Sequence, residues 1–319
     1  MEGTKKRLAP ASIALGAALL FGASTPAAKL LIGQIHPQLL AGLFYLGSGC
    51  GLYLWSIGSK AFRPQAQETK LVASDLPWLG GAVLFGGIVG PLLLMIGLAI
   101  TPAGAASLLL NMEAVFTALL AWFAFKENFD RRIFLGMVSI VIGSMLLAWQ
   151  PGAVLPLSLG SLAIIGACFC WALDNNLTRN ISDADPMQIA AIKGLVAGFV
   201  NVGIALLGTV RHLPGTLFLI EAGLVGFLGY GVSLVLFIKA LRYLGTARSG
   251  AYFSTAPFAG AILSLLFLYE ALTVNLLMAA VFMAIGVWLH LTETHEHQHS
   301  HVEEEHEHLH SHDEHHHAY

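Results

Sequence analysis

Four ionisable side chains interrupt long apolar runs of this chain: Lys29, Glu113, Asp174 and Lys193. Charge is costly in hydrocarbon, so such a group is a functional candidate by default. Glu113 falls about 12 residues into its run, or about 18 Å along a helix rising 1.5 Å per residue. That depth is near the middle of a bilayer, and Thr117 lies one turn away on the same face. A carboxylate there could bind a cationic or amine-bearing solute, or exchange a proton with it. It could equally be a structural group paired with a neighbouring helix. Asp174 sits about 20 Å into its own run and opens an Asp174-Asn175-Asn176 cluster. The cluster would line the cytoplasmic half of a cavity, or form a helix end already wetted by water. Lys193, about 9 Å inside the next run, could pair with Asp174 or hold a substrate carboxylate. Lys193 and Lys29 could also snorkel to an interface.

Softer polar groups accompany these charges. Asn111 and Ser107 share a helix face, and Tyr252, Ser254 and Thr255 cluster in a later run. Each could touch a solute or bond one helix to another. Trp171 and Tyr230 could stack on a substrate or simply pack. Glu127 and Glu270 fall at helix boundaries, where charge is cheap, and read as structural.

A second chemistry is confined to the C-terminus. Of the 14 histidines, these lie within residues 293–319: His295, His297, His299, His301, His306, His308, His310, His312, His315, His316 and His317. Neutral imidazole is a good ligand for Zn, Ni, Co or Cu. His-x-His spacing on a flexible chain lets several rings converge on one ion. The segment has almost no apolar content, so it cannot fold alone. Its alternation with Glu, Gln and Ser is unlike the single block of a purification tag. It could capture metal for export, sense metal, or act as a metal-buffering or pH-sensitive tail with no part in transport. The apolar runs hold no His-rich or Asp/His-paired helix, and His36, His212 and His290 sit at helix ends. A metal complexed to a small organic chelator would reconcile such a path with the tail.

These residues are set in a chain that is 56% hydrophobic and only 11% charged, where a soluble domain carries roughly 25% charged residues. A water-facing surface cannot be built from this composition. Apolar stretches near the roughly 20 residues needed to cross a bilayer run over 11–32, 37–58, 78–100, 101–125, 133–149, 161–179, 187–210, 216–241, 246–268 and 272–291. The third and fourth meet at a tight break, Thr101-Pro102. Lys5, Lys6 and Arg7 before an apolar run resemble a cleavable secretory signal. The run continues to Ile32, however, and the expectation is a retained first helix. Cys50, Cys168 and Cys170 lie in apolar runs and read as small core residues.

Placing the N-terminus in the cytoplasm puts Lys5, Lys6, Arg7, Lys60, Arg63, Lys70, Lys126, Arg131, Arg132, Arg179 and Arg242 on that side, with only Arg211 in the opposite loops. That asymmetry follows the positive-inside rule and puts both termini in the cytoplasm.

The two halves echo each other. One offset pairs His36-Pro37 with Asp185-Pro186, Ala18 with Ala167, Ala41 with Ala190 and Gly49 with Gly198. A second pairs Gly86 with Gly229, Leu98 with Leu241, Glu127 with Glu270 and Ile142-Gly143 with Ile285-Gly286. Five spans per repeat is odd, so the second half must enter the membrane from the opposite side. Inverted repeats recur in secondary transporters, with solute held near the midplane between halves.

The stretch Ala103-Gly104-Ala105-Ala106-Ser107, then Ala114 to Ala121, Glu127, Gly136 and Gly143, resembles the EamA-type repeat of the drug/metabolite transporter superfamily. A second copy runs from Thr246-Ala247-Arg248-Ser249-Gly250 through Pro257, Glu270 and Gly286. The resemblance covers roughly residues 11–292 and is unspecific for substrate. It implies an all-α integral membrane protein of ten transmembrane helices, in two inverted five-helix repeats, usually exporting metabolites or amino acids. The halves would divide as 1–150 and 151–292, with 293–319 a disordered cytoplasmic tail. The family often has Pro where this chain has Ala114. Pro kinks helices, so the fourth helix is expected to bend differently from the ninth, which keeps Pro257.

No Gly-rich phosphate cradle of the ATP-binding type appears, and no nucleophile–base pair. The expectation is therefore a secondary transporter and not an enzyme, in the cytoplasmic membrane, requiring no cofactor. Its partners would be the lipid bilayer, a small-molecule substrate and divalent metal ions, and no nucleic acid. Divalent-metal export, and a metal sensor or scaffold that transports nothing, are the alternatives.

Overall fold

A computed structural model describes residues 2–62, 71–125, 131–149, 157–181, 184–210, 212–244 and 246–292. The described residues form α1 (Glu2–Ile32), α2 (Pro37–Phe62), α3 (Leu76–Ala82), α4 (Gly90–Ile100), α5 (Ala103–Leu109), α6 (Met112–Phe125), α7 (Arg131–Ala148), α8 (Leu159–Arg179), α9 (Pro186–Ile204), α10 (Thr216–Gly226), α11 (Ser233–Leu244), α12 (Thr246–Phe253), α13 (Ala256–Phe267) and α14 (Val274–Leu291). No strand occurs among them, and Trp149 and Leu157 form an isolated bridge.

The fourteen helices make ten crossings, because four crossings are each built from two pieces. A π-helical turn over Val83–Val89 joins α3 to α4, and another over Phe227–Val232 joins α10 to α11. The two turns hold Gly86 and Gly229, a pair the repeat aligns. α5 and α6 part at Leu110-Asn111, and α12 and α13 part at Ser254-Thr255. Nine crossings are long and apolar enough to span a membrane among the described residues. The tenth is α8, whose 21 residues are long enough but carry Asp174, Asn175, Asn176 and Arg179 near one end.

Helix packing obeys the two-fold relation of an inverted repeat. α2 packs on α9, α7 on α14, and α5 on α13, each crossing meeting its own counterpart. α1 packs on α11, and α8 returns the contact by packing on α4. α1 also packs on α13 as α8 packs on α6. The halves are interlocked, with α1 and α8 each inserted into the other half.

Glycines permit the closest of these contacts. A Cβ on Gly194 would come 2.8 Å from the Gly49 backbone, and one on Gly198 would come 2.6 Å from the Leu46 nitrogen. Lipid supplies no hydrophobic drive between helices, so small residues that let backbones meet decide which surfaces pair. The outward faces are apolar, with Leu54, Phe123, Phe199, Leu207 and Ile262 exposed, as a surface solvated by hydrocarbon requires.

Two expectations change. Cys168 and Cys170 are buried, but Cys50 is exposed on the outward face and is not a core residue. The absence of Pro at Ala114 does not leave the fourth crossing continuous. Asn111 Nδ2 donates to the Leu108 carbonyl at 2.8 Å, while the Leu110, Asn111, Glu113 and Ala114 amides bond three residues back. A short side chain that bonds its own backbone competes with the helical ladder, and here it breaks the crossing without a proline. The ninth crossing uses both devices. Pro257 has no N–H to return to Phe253, and Thr255 Oγ1 donates to the Tyr252 carbonyl at 2.6 Å.

Candidate functional site

The break at Leu110-Asn111 puts Glu113 in the first turn of α6, where the exposed amide dipoles of a helix start favour a carboxylate. It does not stand in the middle of an uninterrupted helix, as its position in the run suggested. Glu113 is half-buried and borders a cavity of about 550 Å³. Asn175 Nδ2, from α8, lies 2.8 Å from Glu113 Oε1 and 3.4 Å from Thr117 Oγ1. Asn176 Nδ2 donates at 2.8 Å to the Ala172 carbonyl of its own helix.

Both halves line this cavity. Glu113, Thr117, Asn175 and Arg179 form its polar wall, and Phe21, Phe253, Pro257 and Val287 form the apolar one. Arg179 ends α8 and Ala121 lies one turn before the end of α6, so the cavity runs from buried Leu110 toward that face of the bundle. The two broken crossings meet across it, because α6 begins and α12 ends at its deep end. A mixed lining of this kind, with one carboxylate, one guanidinium, amides and aromatic rings, suits a small solute that has both polar and apolar parts.

Of the residues singled out in the sequence, Glu113, Asn111, Thr117, Asn175 and Ser254 come together here. Asn111 and Ser254 also hold the breaks, Ser254 Oγ donating to the Ala251 carbonyl at 2.8 Å. Tyr252 is not among the lining residues, and the neighbouring Phe253 takes that place.

Asp174 and Lys193 lie elsewhere. Asp174 is buried on another face of α8, where Lys193 of α9 is its ion-pair partner. Thr178 Oγ1 adds a 3.2 Å bond to its other oxygen. Of the readings open to this pair, the structure has mutual neutralisation between helices. The carboxylate packs against Gly86 so closely that a Cβ there would overlap it.

The π-turn explains a polar hub beside this pair. The Gly90 amide bonds to Phe85 and so skips Gly86, which frees the Gly86 carbonyl. Tyr45 Oη and Trp171 Nε1 donate to that oxygen at 2.6 and 3.0 Å. Pro91 has no N–H for Gly87, and Asn201 Nδ2 takes the Gly87 carbonyl at 3.2 Å. Trp171 is therefore a buried structural donor. Tyr230 packs at 5.8, 5.7 and 5.6 Å from Phe21, Phe44 and Tyr45. Sequence reasoning missed Tyr45, since one tyrosine in an apolar run carries no pattern. Pro91 eight residues after Val83 was the available signal for two orphaned carbonyls.

Lys29 is also away from the cavity. Its Nζ donates to the Leu98, Ala99 and Thr101 carbonyls at 2.6, 3.3 and 2.8 Å. These are the unsatisfied carbonyls at the end of α4, where a cation is favoured. Glu270 does the converse, accepting from the Ala103 and Gly104 amides at 2.6 and 2.8 Å. The Thr101-Pro102 break is thus held by a base on one side and an acid on the other. Glu127 and the histidines of 293–319 lie outside the described residues. Among the described residues no group of three His, Cys, Asp or Glu side chains is placed to hold a metal ion.

Ten crossings in two interlocked inverted halves, around a polar cavity that opens on one face, define a membrane transporter. The family model of EamA-like transporters matches residues 9–149 and again 158–292, and the chain belongs to that family. An uncharacterized transporter of Methanothermobacter thermautotrophicus is 28% identical over 86% of this chain and 83% of its own. A protein of Salmonella typhimurium named probable amino-acid metabolite efflux pump is 27% identical over 88% of this chain and 93% of its own. A solved crystal structure shares the fold with a TM-score of 0.63 at 17% identity, covering 88% of this chain and 95% of the other. Family and relatives alike are transporters and not enzymes.

Proposed function

We propose that this transporter exports small amine-bearing metabolites of amino-acid type from the cytoplasm, driven by an ion gradient or by the solute's own gradient. The observation that carries this reading is Glu113, a half-buried carboxylate at the closed end of a cavity that both repeats line. It would take the ammonium group. Arg179 borders the same cavity toward its open end and would face a carboxylate. Phe21, Phe253 and Val287 would hold an apolar side chain. The name of the Salmonella relative agrees with this class of solute.

The bias of Lys and Arg among the loops supports a cytoplasmic-membrane protein with both termini inside. In that orientation the Arg179 end of the cavity faces the cytoplasm. Residues 293–319 would then bind divalent metal on the cytoplasmic side, as capture, sensing or buffering. Metal or metal-chelate export remains the alternative carried by that segment alone.

The test is counterflow in proteoliposomes with a panel of neutral and cationic amino acids, alongside Zn, Ni and Co. Uptake of a labelled amine-bearing solute that Glu113→Gln abolishes is the expected result. Flux of metals alone, or amine flux indifferent to Glu113→Gln, overturns the reading.

A further inference from the structure

A second cavity, of about 350 Å³, lies at the other end of the bundle. α8 reports the separation, since Ser158 and Ser161 at its start line this cavity and Asn175 and Arg179 near its end line the first. The two ends of its 21 residues are about 30 Å apart. The polar lining is one carboxylate, Glu270, with Thr101, Ser158, Ser161, Thr273 and Asn275. Among the described lining residues there is no lysine or arginine.

Two of these hydroxyls are orphans. Thr101 Oγ1 and Ser161 Oγ are buried with no hydrogen-bond partner among the described residues, and the residues are 4% and 1% exposed. A buried hydroxyl without a partner is destabilising; both oxygens are closed off in this form, and a shift of α5 that opened the wall would let a polar solute satisfy them. Glu270 carries negative charge into the same space.

Only α5 separates the two cavities along the fourth crossing. Ala105 lines one and Leu110 lines the other, about 7.5 Å apart at 1.5 Å per residue. Ala106, Ser107, Leu108 and Leu109 between them are fully packed. α5 is cut loose from α4 at Thr101-Pro102 and from α6 at Leu110-Asn111. Its first amides are held by Glu270, which belongs to the opposite half.

We propose that this second cavity is the exit-side binding site of the same transport path, taking a small amine-bearing solute on Glu270, and that α5 is the plug between the two sites. In the closed form Glu270 is occupied by the α5 amides. Solute arriving past α5 competes for that carboxylate, and the plug loses its anchor as the site fills. The inference rests on the reading of Glu113 as the entry-side carboxylate.

Thiol labelling of the full-length chain in native vesicles tests it. The chain with its own three cysteines is the background. Asn275→Cys marks the exit face and Ala121→Cys the entry face, while Ala105→Cys reports the second cavity. A membrane-impermeant maleimide is expected to modify Ala105→Cys from the Asn275 side. Ethanolamine hydrochloride should slow that modification and sodium acetate should not. Ethanolamine shields Ala105→Cys sterically while it holds Glu270; adding Glu270→Gln removes the charge and one of the two bonds to the α5 amides, so with no solute in the way modification should speed up about tenfold. Protection by ethanolamine should disappear in the same variant. Glu270→Asp, which keeps the charge, should retain protection and guards against a misfolded Gln variant. Reaction of Ala105→Cys from the Ala121 side alone, no reaction at all, or protection equal for both probes overturns the site. If Ala121→Cys still reacts from its own side, the entry cavity stands and only the exit site falls. Failure of Glu113→Gln to alter transport would instead remove the entry reading.

Discussion

Asn175 Nδ2 lies 2.8 Å from Glu113 Oε1, joining α8 of the second repeat to the first turn of α6 in the first. The bond holds the carboxylate at the deep end of the cavity, so loss of its charge and loss of its position can be separated. Glu113→Gln keeps shape and an acceptor for Asn175 but no charge. A bond to a charged group contributes about 1.5–3 kcal/mol, so transport of an amine-bearing solute should fall at least about tenfold. Asn175→Ala keeps the charge and frees the side chain, and should raise KM more than it lowers kcat. Counterflow kinetics on both variants, at equal protein per liposome, provide the comparison. Equal losses in kcat for both variants would contradict separate roles.

The Asp174–Lys193 pair leads to a stability prediction and not a transport one. Removing one member of a buried pair strands the other, at about 3–5 kcal/mol. Asp174→Asn and Lys193→Met should each lower the melting temperature in detergent. The double variant, which leaves no charge behind, should recover most of that loss. A double variant no more stable than the singles would show that each charge has a further partner.

Lys29 caps three carbonyls at the end of α4. A cation at a helix C-terminus contributes about 0.3–1 kcal/mol when exposed and up to about 2 when partly buried. Lys29→Met should therefore cost about 1–2 kcal/mol of stability, read as a lower melting temperature. Lys29→Arg keeps the charge and should restore most of it. If Lys29→Met abolished flux at unchanged stability, the lysine would belong to the solute path and not to the cap.

The crossings were legible because the bilayer forces each one to be long and apolar. The inverted repeat was legible because paired glycines and prolines mark positions where backbones touch or bend, as Gly49 and Gly198 do. The breaks at Asn111 and Ser254 were not, since they depend on a side chain choosing its own backbone over a neighbour. For the same reason Asn111 and Ser254 stood out as cavity groups without their structural duty being evident. Pairing Asp174 with Lys193 was one of three readings of that lysine, beside a substrate carboxylate and snorkelling. Spacing alone could not settle it, because two residues on adjacent helices need only a rotation of about 100° to face a cavity or each other. Glu113 and Asn175 emerged from depth and residue type, whereas Arg179 and Phe253 were hidden by their places near helix ends.

Gly49 meets Gly194 where α2 crosses α9, with the backbones too close for an added Cβ. Overpacking a tight contact costs about 1–3 kcal/mol. Gly49→Leu should separate α2 from α9 and lower both stability and flux, while Gly58→Leu, where a Cβ would meet nothing, should change neither. Melting temperature and counterflow on the same preparations give the test. Equal behaviour of the two variants would mean that the α2–α9 contact is not a close one in the membrane.

Residues 293–319 carry eleven histidines and should bind zinc independently of transport. Imidazole must be neutral to ligate metal, and an unperturbed ring gains its proton below about pH 6.5. Zinc affinity of the full chain should therefore weaken as pH falls from 7.5 to about 5.5, because protons compete for the same nitrogens. A chain ending at Thr292 should lose that affinity while keeping amine counterflow within about twofold, since Glu113 and its cavity are untouched and a change that small is under 0.5 kcal/mol. Competition with a zinc-sensitive dye, measured beside counterflow, separates the outcomes. Amine flux that vanishes with the tail would tie the histidines to the transport cycle, and zinc binding that survives its removal would place the metal ligands elsewhere in the chain.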